Sequence, residues 1–158
     1  MSVSTSPLIV GVGATTFGNH AGTSSSSLAC AAAAEALADA GADAAEVEAA
    51  YVGNAMAGLI WGQESVRGQV ALAPLGLQGA PIYNVENACA SSSSALALAM
   101  DAVGAGAVEV TLVVGVEKLR HHYRDRVMRA FEGAVDVERL DESAGRSGAP
   151  RMARERSL

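Results

Sequence analysis

Aromatic residues, cysteine and lysine are scarce in this 158-residue sequence. Aromatic residues make up 4% of the chain, and it holds two cysteines and one lysine. Two cysteines are too few for a small fold built on disulfide bridges. The formal net charge is −6, whereas nucleic-acid binding needs clustered basic residues and aromatic platforms on which bases stack. We therefore expect no nucleic-acid partner.

A long apolar run is also missing. No uninterrupted run approaches the ~20 residues that a membrane-spanning helix needs. Residues 1–7 contain no basic residue and no apolar stretch, which predicts that the chain has no secretory signal. Half of the residues are nonetheless hydrophobic, which excludes a disordered chain, and the length suits one domain. These features predict a cytoplasmic protein with no membrane partner.

Basic residues are nearly absent from the first three quarters of the chain. Residues 1–119 hold two basic residues against ten acidic ones, and they are rich in Ala, Gly, Val and Ser. Residues 120–158 hold nine arginines against seven acidic residues, and few residues that form a core. This change in composition predicts a compact body over residues 1–119 and a charged tail over residues 120–158.

Short apolar runs alternate with Ala-rich helical segments along the body. A serine of the loop before the first helix is expected to cap it, and Gly41 to end it. Strands that alternate with helices indicate the α/β class, with a largely parallel sheet. The predicted strands are Leu8–Val12, which we expect to be buried, Ala49–Gly53, Pro81–Val85 and Val108–Val116. The predicted helices are Leu28–Ala40, Gln63–Ala73 and Cys89–Val103, with one helical turn at Asp43–Val47.

Cys89 is the strongest candidate for a reactive residue. The sequence predicts that a strand ends at Val85, that three residues turn, and that Cys89 opens a helix. Unpaired N–H groups and the helix dipole at such a position favour a thiolate over a thiol. The same N–H groups can stabilise the oxyanion that forms when sulfur attacks a carbonyl carbon. The spacing alone leaves two interpretations of Cys89, a nucleophile or a small buried residue, whereas Cys30 inside an Ala-rich helix is expected to be structural.

The segment Asn84-Val-Glu-Asn-Ala-Cys89-Ala-Ser-Ser-Ser-Ser-Ala-Leu resembles the active-site region of the thiolase superfamily. It is most similar to the sterol-carrier-protein, or lipid-transfer, type. The likeness covers nearly all of residues 8–119 as an ordered set of blocks. Those blocks are Ile9–Gly18, Ala36–Gly41 through Val52-Gly53, Gly62-Gln63 with Arg67-Gly-Gln69, and Val114–Lys118.

The resemblance implies a fold and a site. The fold is an α/β half-domain with a mixed, mostly parallel sheet and helices on both faces, which a second half completes to α-β-α-β-α layers. Cys89 is then the nucleophile, with Asn87 and Ser91 as substrate-binding residues. The implied substrate is an acyl-CoA thioester, with no bound cofactor and no metal. The family also implies a homodimer through the strand Pro81–Val85 and the helix Gln63–Ala73.

The general base of such an enzyme is missing from this sequence. Family members carry a Gly-His-Pro or related motif, and in most cases a second cysteine, in a C-terminal half-domain, and neither motif is present here. The histidines are His20, in a loop, and His121 and His122, which we expect to point in different directions as exposed polar residues. A complementary chain is therefore expected to supply the base.

The helix after Cys89 supports the same expectation on physical grounds. It carries no charge before Asp101 and no polar stripe, and a helix that is small or apolar all round favours burial on every side. In thiolases a second sheet covers it. Ser92 stands where many relatives have glycine, which predicts altered dimensions of the acyl pocket.

The tail resembles the beginning of the loop region that covers a thiolase active site. Arg124, Arg126 and Arg129 are expected to form a solvated face of it rather than to bind a CoA phosphate. The sequence thus predicts the nucleophile-bearing subunit or fragment of a thiolase-like acyltransferase, working by thiolysis or Claisen condensation, with retro-aldol cleavage also open. The alternatives are a non-catalytic scaffold or assembly subunit with this fold, and a truncated inactive fragment.

Overall fold

The computed structural model describes residues 6–77 and 79–139. Three strands are present in these ranges: β1 (Ala49–Gly53), β2 (Ile82–Val85) and β3 (Thr111–Gly115). The α-helices are α1 (Ser25–Ala40), α2 (Ala57–Trp61), α3 (Arg67–Leu72), α4 (Ser91–Gly104) and α5 (Arg124–Glu132). Single 3-10 turns lie at Ala44–Glu46, Ala73–Leu75, Ala88–Ala90 and Val137–Arg139. No helix in the described ranges is long and apolar enough to cross a bilayer.

The three strands form a parallel sheet in the order β2-β1-β3. Tyr51 of the central strand lies opposite Tyr83 on one side and Val113 on the other. All five residues of β1 are buried, as expected for a strand covered on both faces. The prediction of an α/β class with a mostly parallel sheet is confirmed.

Helices cover both faces of the sheet, because successive side chains of a strand point to opposite sides. Ala50 and Val52 of β1 pack towards α1 and α3, whereas Ala49 and Tyr51 pack towards α4. The helices contribute small residues at these contacts, such as Ala33 from α1 and Ala95 and Ala99 from α4. The predicted arrangement of helices on both faces is therefore confirmed.

Helix α1 has the two end signals that the sequence indicated. The Ser24 side chain accepts a hydrogen bond from the backbone N–H of Ser27 at 3.0 Å, which satisfies one of the free donors of the first turn. At the other end Gly41 takes a left-handed conformation with φ 66°, which glycine adopts without a steric penalty. The helix begins at Ser25, three residues before the predicted start.

The predicted buried strand Leu8–Val12 is wrong. This segment joins no strand of the described sheet, and the side chains of Leu8 and Val12 are 82% and 67% exposed. It lies against α1 instead, where a Cβ on Gly11 would overlap the carbonyl oxygen of Ala36. The β-branched run indicated a strand, but a strand also needs a pairing partner, and β3 has none on that side.

Two predicted helices have different bounds. The helix expected at Gln63–Ala73 is the shorter α3, followed by a 3-10 turn that contains Pro74. The helix expected to open at Cys89 begins at Ser91, and Cys89 lies in the 3-10 turn before it. Helix α2 was not predicted, because a carboxylate distant in the chain binds the backbone of the two residues before it, as described below.

Part of the predicted tail packs on the body. Ala130 of α5 is buried against Met56 and Ile60, and Val127 lies beside them. Residues 1–5 and 140–158 of the predicted body and tail lie outside the described residues. The division into residues 1–119 and residues 120–158 stays a prediction.

Candidate active site

Cys89 lies exposed at the point where the chain turns from β2 into α4. The turn is tight, because Ala88 adopts φ 45°, a left-handed conformation that is uncommon for a residue with a side chain. The backbone N–H of Ala88 donates to the Glu86 carboxylate at 2.7 Å. Strand, strained turn and helix together form an elbow that holds the thiol of Cys89 at the carboxyl end of the sheet.

The buried side chain of Ser91 stabilises this elbow through hydrogen bonds to its backbone. It is 5% exposed, and its hydroxyl oxygen accepts the backbone N–H of Asn87 at 2.9 Å while donating to the carbonyl oxygen of Ala88 at 2.7 Å. The Asn87 side chain donates to the Ser94 hydroxyl at 2.9 Å. Both residues predicted to bind substrate therefore lie at the elbow and bond to its other members, while their contact with substrate stays a prediction.

Ser92 lies over the ends of two strands. A Cβ on Gly115 would overlap its hydroxyl oxygen, and a Cβ on Gly53 would lie 2.7 Å from its backbone nitrogen. The absence of side chains at these two positions allows the first turn of α4 to approach β1 and β3. The effect of Ser92 on an acyl pocket stays a prediction, and the structure adds a packing contact with two glycines.

A polar network that the sequence did not predict lies beside the elbow at the same edge of the sheet. The Glu117 carboxylate follows β3 and accepts the backbone N–H groups of Ala55 and Met56 at 2.8 and 3.0 Å. The Asn54 side chain donates to the same carboxylate at 3.2 Å and to the carbonyl oxygen of Val116 at 2.7 Å. Glu117 thereby satisfies the N–H groups of the two residues that precede α2, and the Asn54 side-chain oxygen accepts the N–H of its first residue, Ala57, at 3.3 Å. The block Val114–Lys118 was the available sequence signal, but it does not reveal which backbone groups its glutamate binds.

The cavities near the elbow are small. A cleft of about 200 Å³ lies at the ends of β1 and β2, and its walls include Asn54, Arg67, Asn84 and Glu86. Pockets for small ligands usually measure roughly 300–1,000 Å³. A larger cavity of about 520 Å³ lies among residues 119–128 and includes no residue of the elbow. Neither of these two cavities is lined by Cys89.

The two adjacent histidines do not point apart as expected. The rings of His121 and His122 stack with centroids 4.2 Å apart, because the backbone N–H of Tyr123 donates to Nδ1 of His121 and Trp61 meets the same ring edge-on at 4.7 Å. Partial burial of the ring, followed by the positive charges of His122 and Arg126, lowers the pKa of His121.

No described histidine bonds to Cys89. His20 contacts the carbonyl oxygen of Thr16, and His121 accepts the N–H of Tyr123. Within residues 6–77 and 79–139 the Cys89 sulfur has no hydrogen-bond partner. Cys30 differs, because its sulfur donates to the carbonyl oxygen of Ala71 at 3.3 Å. The described residues also form no group of ligands suited to a metal ion.

Comparison with known proteins assigns this arrangement to a family. The family model described as "Thiolase, N-terminal domain" matches residues 8–143. The chain is 43% identical over 111 residues to the acetyl-CoA acetyltransferase of Methanocaldococcus jannaschii, covering 70% of this chain and 28% of that protein. It is 34% identical over 150 residues to sterol carrier protein 2 of Rattus norvegicus, covering 90% of this chain and 26% of that protein.

A solved structure has the same fold. Acetyl-CoA acetyltransferase from Syntrophomonas wolfei superposes with a TM-score of 0.55 at 22% identity, covering 65% of this chain and 26% of that chain. The matched stretches span between 26% and 28% of the length of these relatives. The chain belongs to the thiolase family of acyltransferases, and the part of the family that it matches is the N-terminal domain.

Proposed function

We propose that this chain is the nucleophile-bearing part of an acyl-CoA acyltransferase whose C-terminal half comes from another chain. The observation that carries the proposal is the exposed Cys89 on a strained turn at the start of α4. No hydrogen bond within residues 6–77 and 79–139 reaches this thiol, which agrees with a site that a second polypeptide completes.

The proposed chemistry is acyl transfer through a thioester on Cys89. The thiolate attacks the carbonyl carbon of an acyl-CoA, a bond forms between that carbon and the sulfur, and the CoA thiolate leaves with the bonding electron pair and takes up a proton. The acyl group then passes to CoA in thiolysis or to a carbanion in condensation. Backbone N–H groups at the start of α4 are suited to stabilise the oxyanion. Asn87 and Ser91 are proposed to line the substrate side.

The outer face of α4 supports a covering half. Leu98 and Met100 are 48% and 44% exposed, and no charged residue precedes Asp101 in this helix. Solvated helices usually carry charged residues on their outer face. The share of the relatives that the chain matches, 28% of the M. jannaschii protein, leaves a large part of a thiolase to cover this face.

The edge of the sheet at β2 supports a homodimer. Strand β2 pairs with β1 alone among the described strands, and an unpaired edge is a template for another strand. Tyr83 on this strand is 49% exposed and stacks on Tyr51 with ring centroids 4.9 Å apart. The Asn84 side chain donates to Gln69 of α3 at 2.8 Å, so strand and helix form one surface.

We propose the cytoplasm as the location, in line with the two free cysteines.

The two cysteines provide the test of the proposed nucleophile. The C-terminal part of the M. jannaschii acetyl-CoA acetyltransferase, beyond the matched stretch, is co-expressed with this chain, and the assembly is treated with acetyl-CoA. Mass spectrometry of its peptides is expected to find an acetyl group on Cys89 and none on Cys30. Iodoacetamide at neutral pH is expected to react faster with Cys89 than with a free cysteine.

Cys30 is the internal control, because its sulfur is half-buried and bonded to Ala71. The variant Cys89→Ala should lose the acetyl adduct, and Cys30→Ala should keep it. An assembly in which Cys89 takes no acetyl group and reacts no faster than a free thiol would contradict the proposal. That result would favour the non-catalytic scaffold with a thiolase-like fold.

A further inference from the structure

Glu86 follows β2 directly, and its carboxylate binds the backbone of the turn that leads to Cys89. Its Oε1 atom accepts the N–H of Ala88 at 2.7 Å. A hydrogen bond from a backbone N–H to a carboxylate is stronger than one between two neutral groups. Glu86 is exposed, so packing in a core does not explain the position of its side chain. The hydrogen bond is the contact that keeps the carboxylate beside the turn.

The conformation of Ala88 decides where Cys89 lies, because the peptide planes before and after Ala88 meet at its Cα. Ala88 adopts φ 45°, which is disfavoured for a residue with a side chain. Its N–H belongs to the plane before it, which Glu86 holds. Its C=O belongs to the plane after it, to which the Ser91 hydroxyl donates at 2.7 Å. Each of the two side chains therefore holds one of the planes that define the left-handed turn.

The charge of Glu86 has a different consequence from its hydrogen bond. In the described part of the chain the Arg67 guanidinium, which lines the same cleft as Glu86, forms its ion pair with Glu64 at 3.3 Å. Because like charges repel each other, a carboxylate three residues before a cysteine does not promote attack by a thiolate through its charge. A contribution of Glu86 to the site therefore comes from the hydrogen bond.

We infer that Glu86 is a positioning residue of the acyl transfer, whose carboxylate keeps Ala88 left-handed and thereby holds the Cys89 sulfur at the start of α4. The inference rests on the proposed function, because that function makes Cys89 the nucleophile. Without the bond, Ala88 relaxes towards the conformations that alanine prefers, and Cys89 moves away from the N–H groups at the start of the helix. Glu86 itself touches no reacting atom and acts through Ala88.

Two substitutions separate the hydrogen bond of Glu86 from its charge. Glu86→Gln removes the charge and keeps a side-chain oxygen that can accept the N–H of Ala88, whereas Glu86→Ala removes both. The difference between these two variants therefore measures the hydrogen bond alone. Glu46→Ala is the matched control, because the Glu46 carboxylate also accepts a backbone N–H in a turn, that of Asp43 at 2.7 Å.

The readout is the rate at which iodoacetamide alkylates Cys89 in the full chain, with the midpoint of thermal unfolding recorded for each variant. Glu86→Gln should react at least as fast as the parent chain. Glu86→Ala should react roughly fivefold or more slowly than Glu86→Gln, because the left-handed conformation is disfavoured without the bond. Glu46→Ala should react at the parent rate. A purely structural role would lower the unfolding midpoint and leave the alkylation rates equal well below that temperature.

A second pair of variants tests the step through Ala88. Glycine adopts the left-handed conformation without a steric penalty, so in an Ala88→Gly background the hydrogen bond has less strain to offset. The ratio of the Glu86→Gln rate to the Glu86→Ala rate should then fall below roughly twofold. An unchanged ratio in that background would overturn the inference. Equal rates for Glu86→Gln and Glu86→Ala beside the native Ala88 would overturn it as well.

A measurement on the parent chain covers the case in which Glu86→Ala does not fold. The amide proton resonance of Ala88 should move as acid protonates the Glu86 carboxylate that accepts it. The resonance of Ala90 is the internal control, because its N–H bonds to the carbonyl oxygen of Asn87 at 2.9 Å. An Ala88 resonance that moves no more than that of Ala90 would overturn the inference.

The proposed function is decided by a different readout, the acetyl group on Cys89. Slower alkylation of Glu86→Ala than of Glu86→Gln, in a protein that takes no acetyl group, would leave the positioning of the thiol standing and remove the proposed function. An acetylated Cys89 together with equal alkylation rates for the two variants would do the reverse.

Discussion

The hydroxyl oxygen of Ser91 accepts a 2.9 Å hydrogen bond from the backbone N–H of Asn87, four residues earlier in the chain. The same hydroxyl donates to the carbonyl oxygen of Ala88 at 2.7 Å. These two bonds close the turn that contains Cys89 and offset the strain of the left-handed Ala88. The position of the candidate nucleophile therefore depends on a buried side chain two residues after it.

Ser91→Ala is expected to lower the free energy of unfolding by about 0.5–1.5 kcal/mol, because it removes the acceptor of the Asn87 N–H and the side-chain donor to the Ala88 carbonyl oxygen. Urea denaturation measures the change. Ser93→Ala is the control, because Ser93 lies two residues after Ser91 in the same helix and is exposed. It should change the free energy of unfolding by less than about 0.5 kcal/mol. Equal effects of the two substitutions would count against this role of Ser91.

Gly115→Ala is expected to cost about 1–3 kcal/mol, because the new methyl group overlaps the Ser92 hydroxyl. The second substitution Ser92→Ala removes that oxygen and should recover most of the loss. Gly53→Ala meets the backbone nitrogen and Cα of Ser92 at 2.7 and 2.8 Å as well as its hydroxyl oxygen at 2.8 Å. The backbone contacts remain in Ser92→Ala, which should therefore not rescue it. The double-mutant cycles are measured by thermal and urea unfolding. Rescue of both variants, or of neither, would contradict the contact geometry.

Glu117→Ala is expected to lower the free energy of unfolding by about 1–3 kcal/mol, because the N–H groups of Ala55 and Met56 lose their acceptor. Glu117→Gln retains one acceptor oxygen and should have a smaller effect. Glu109→Ala is the control, an exposed glutamate with no described side-chain bond. Amide exchange resolves the change, which should be largest in α2. Uniform loss of protection across the chain would show that Glu117 does not act locally on the residues that lead into α2.

The fluorescence of Trp61, the single tryptophan, should report the protonation of His121, because the two rings meet at 4.7 Å. The pKa of His121 is lowered, so the midpoint of the change should lie below the ordinary value of about 6.5. The contribution of the neutral His121 ring to stability is fully present above the unfolded-state pKa of about 6.5. It is lost as the pH falls from there through the lowered pKa of the folded state.

Three variants separate the contributions to this titration. His121→Gln should abolish the fluorescence change, and His20→Gln, distant in the chain and bonded to Thr16, should leave it intact. His122→Asn removes one of the positive neighbours and should move the midpoint up. Lys118 over the Trp61 ring and Arg126 over Tyr123 keep the surroundings cationic in all three. A midpoint at or above 6.5 in the parent chain would refute the assignment.

Local signals in the sequence predicted most of the fold. Strand β1 has the predicted bounds, and α1 has its serine cap and its final glycine, because propensity and end bonds act within a few residues. The elbow at Cys89 follows from the same kind of signal, a strand and a helix separated by a short turn. The family resemblance, carried by ordered blocks along residues 8–119, is confirmed by the match over residues 8–143.

The alternation of short apolar runs with Ala-rich segments predicted the α/β class, and the parallel sheet with helices on both faces confirms it. Features of the fold that depend on contacts between residues distant in the chain were decided only by the tertiary structure. Leu8–Val12 has strand composition, yet pairing requires a second strand beside it, so the segment rests on α1 with its side chains exposed.

The same reason explains the remaining differences. Helix α2 follows directly after Ala55 and Met56, whose N–H groups bond to Glu117, about 60 residues later. The two histidines stack because Trp61 and Tyr123 meet the first ring. A sequence pattern specifies the hydrogen-bonding needs of a segment through its periodicity and its end residues. Which distant group meets those needs is set when the chain folds, since only packing brings that group within hydrogen-bond distance.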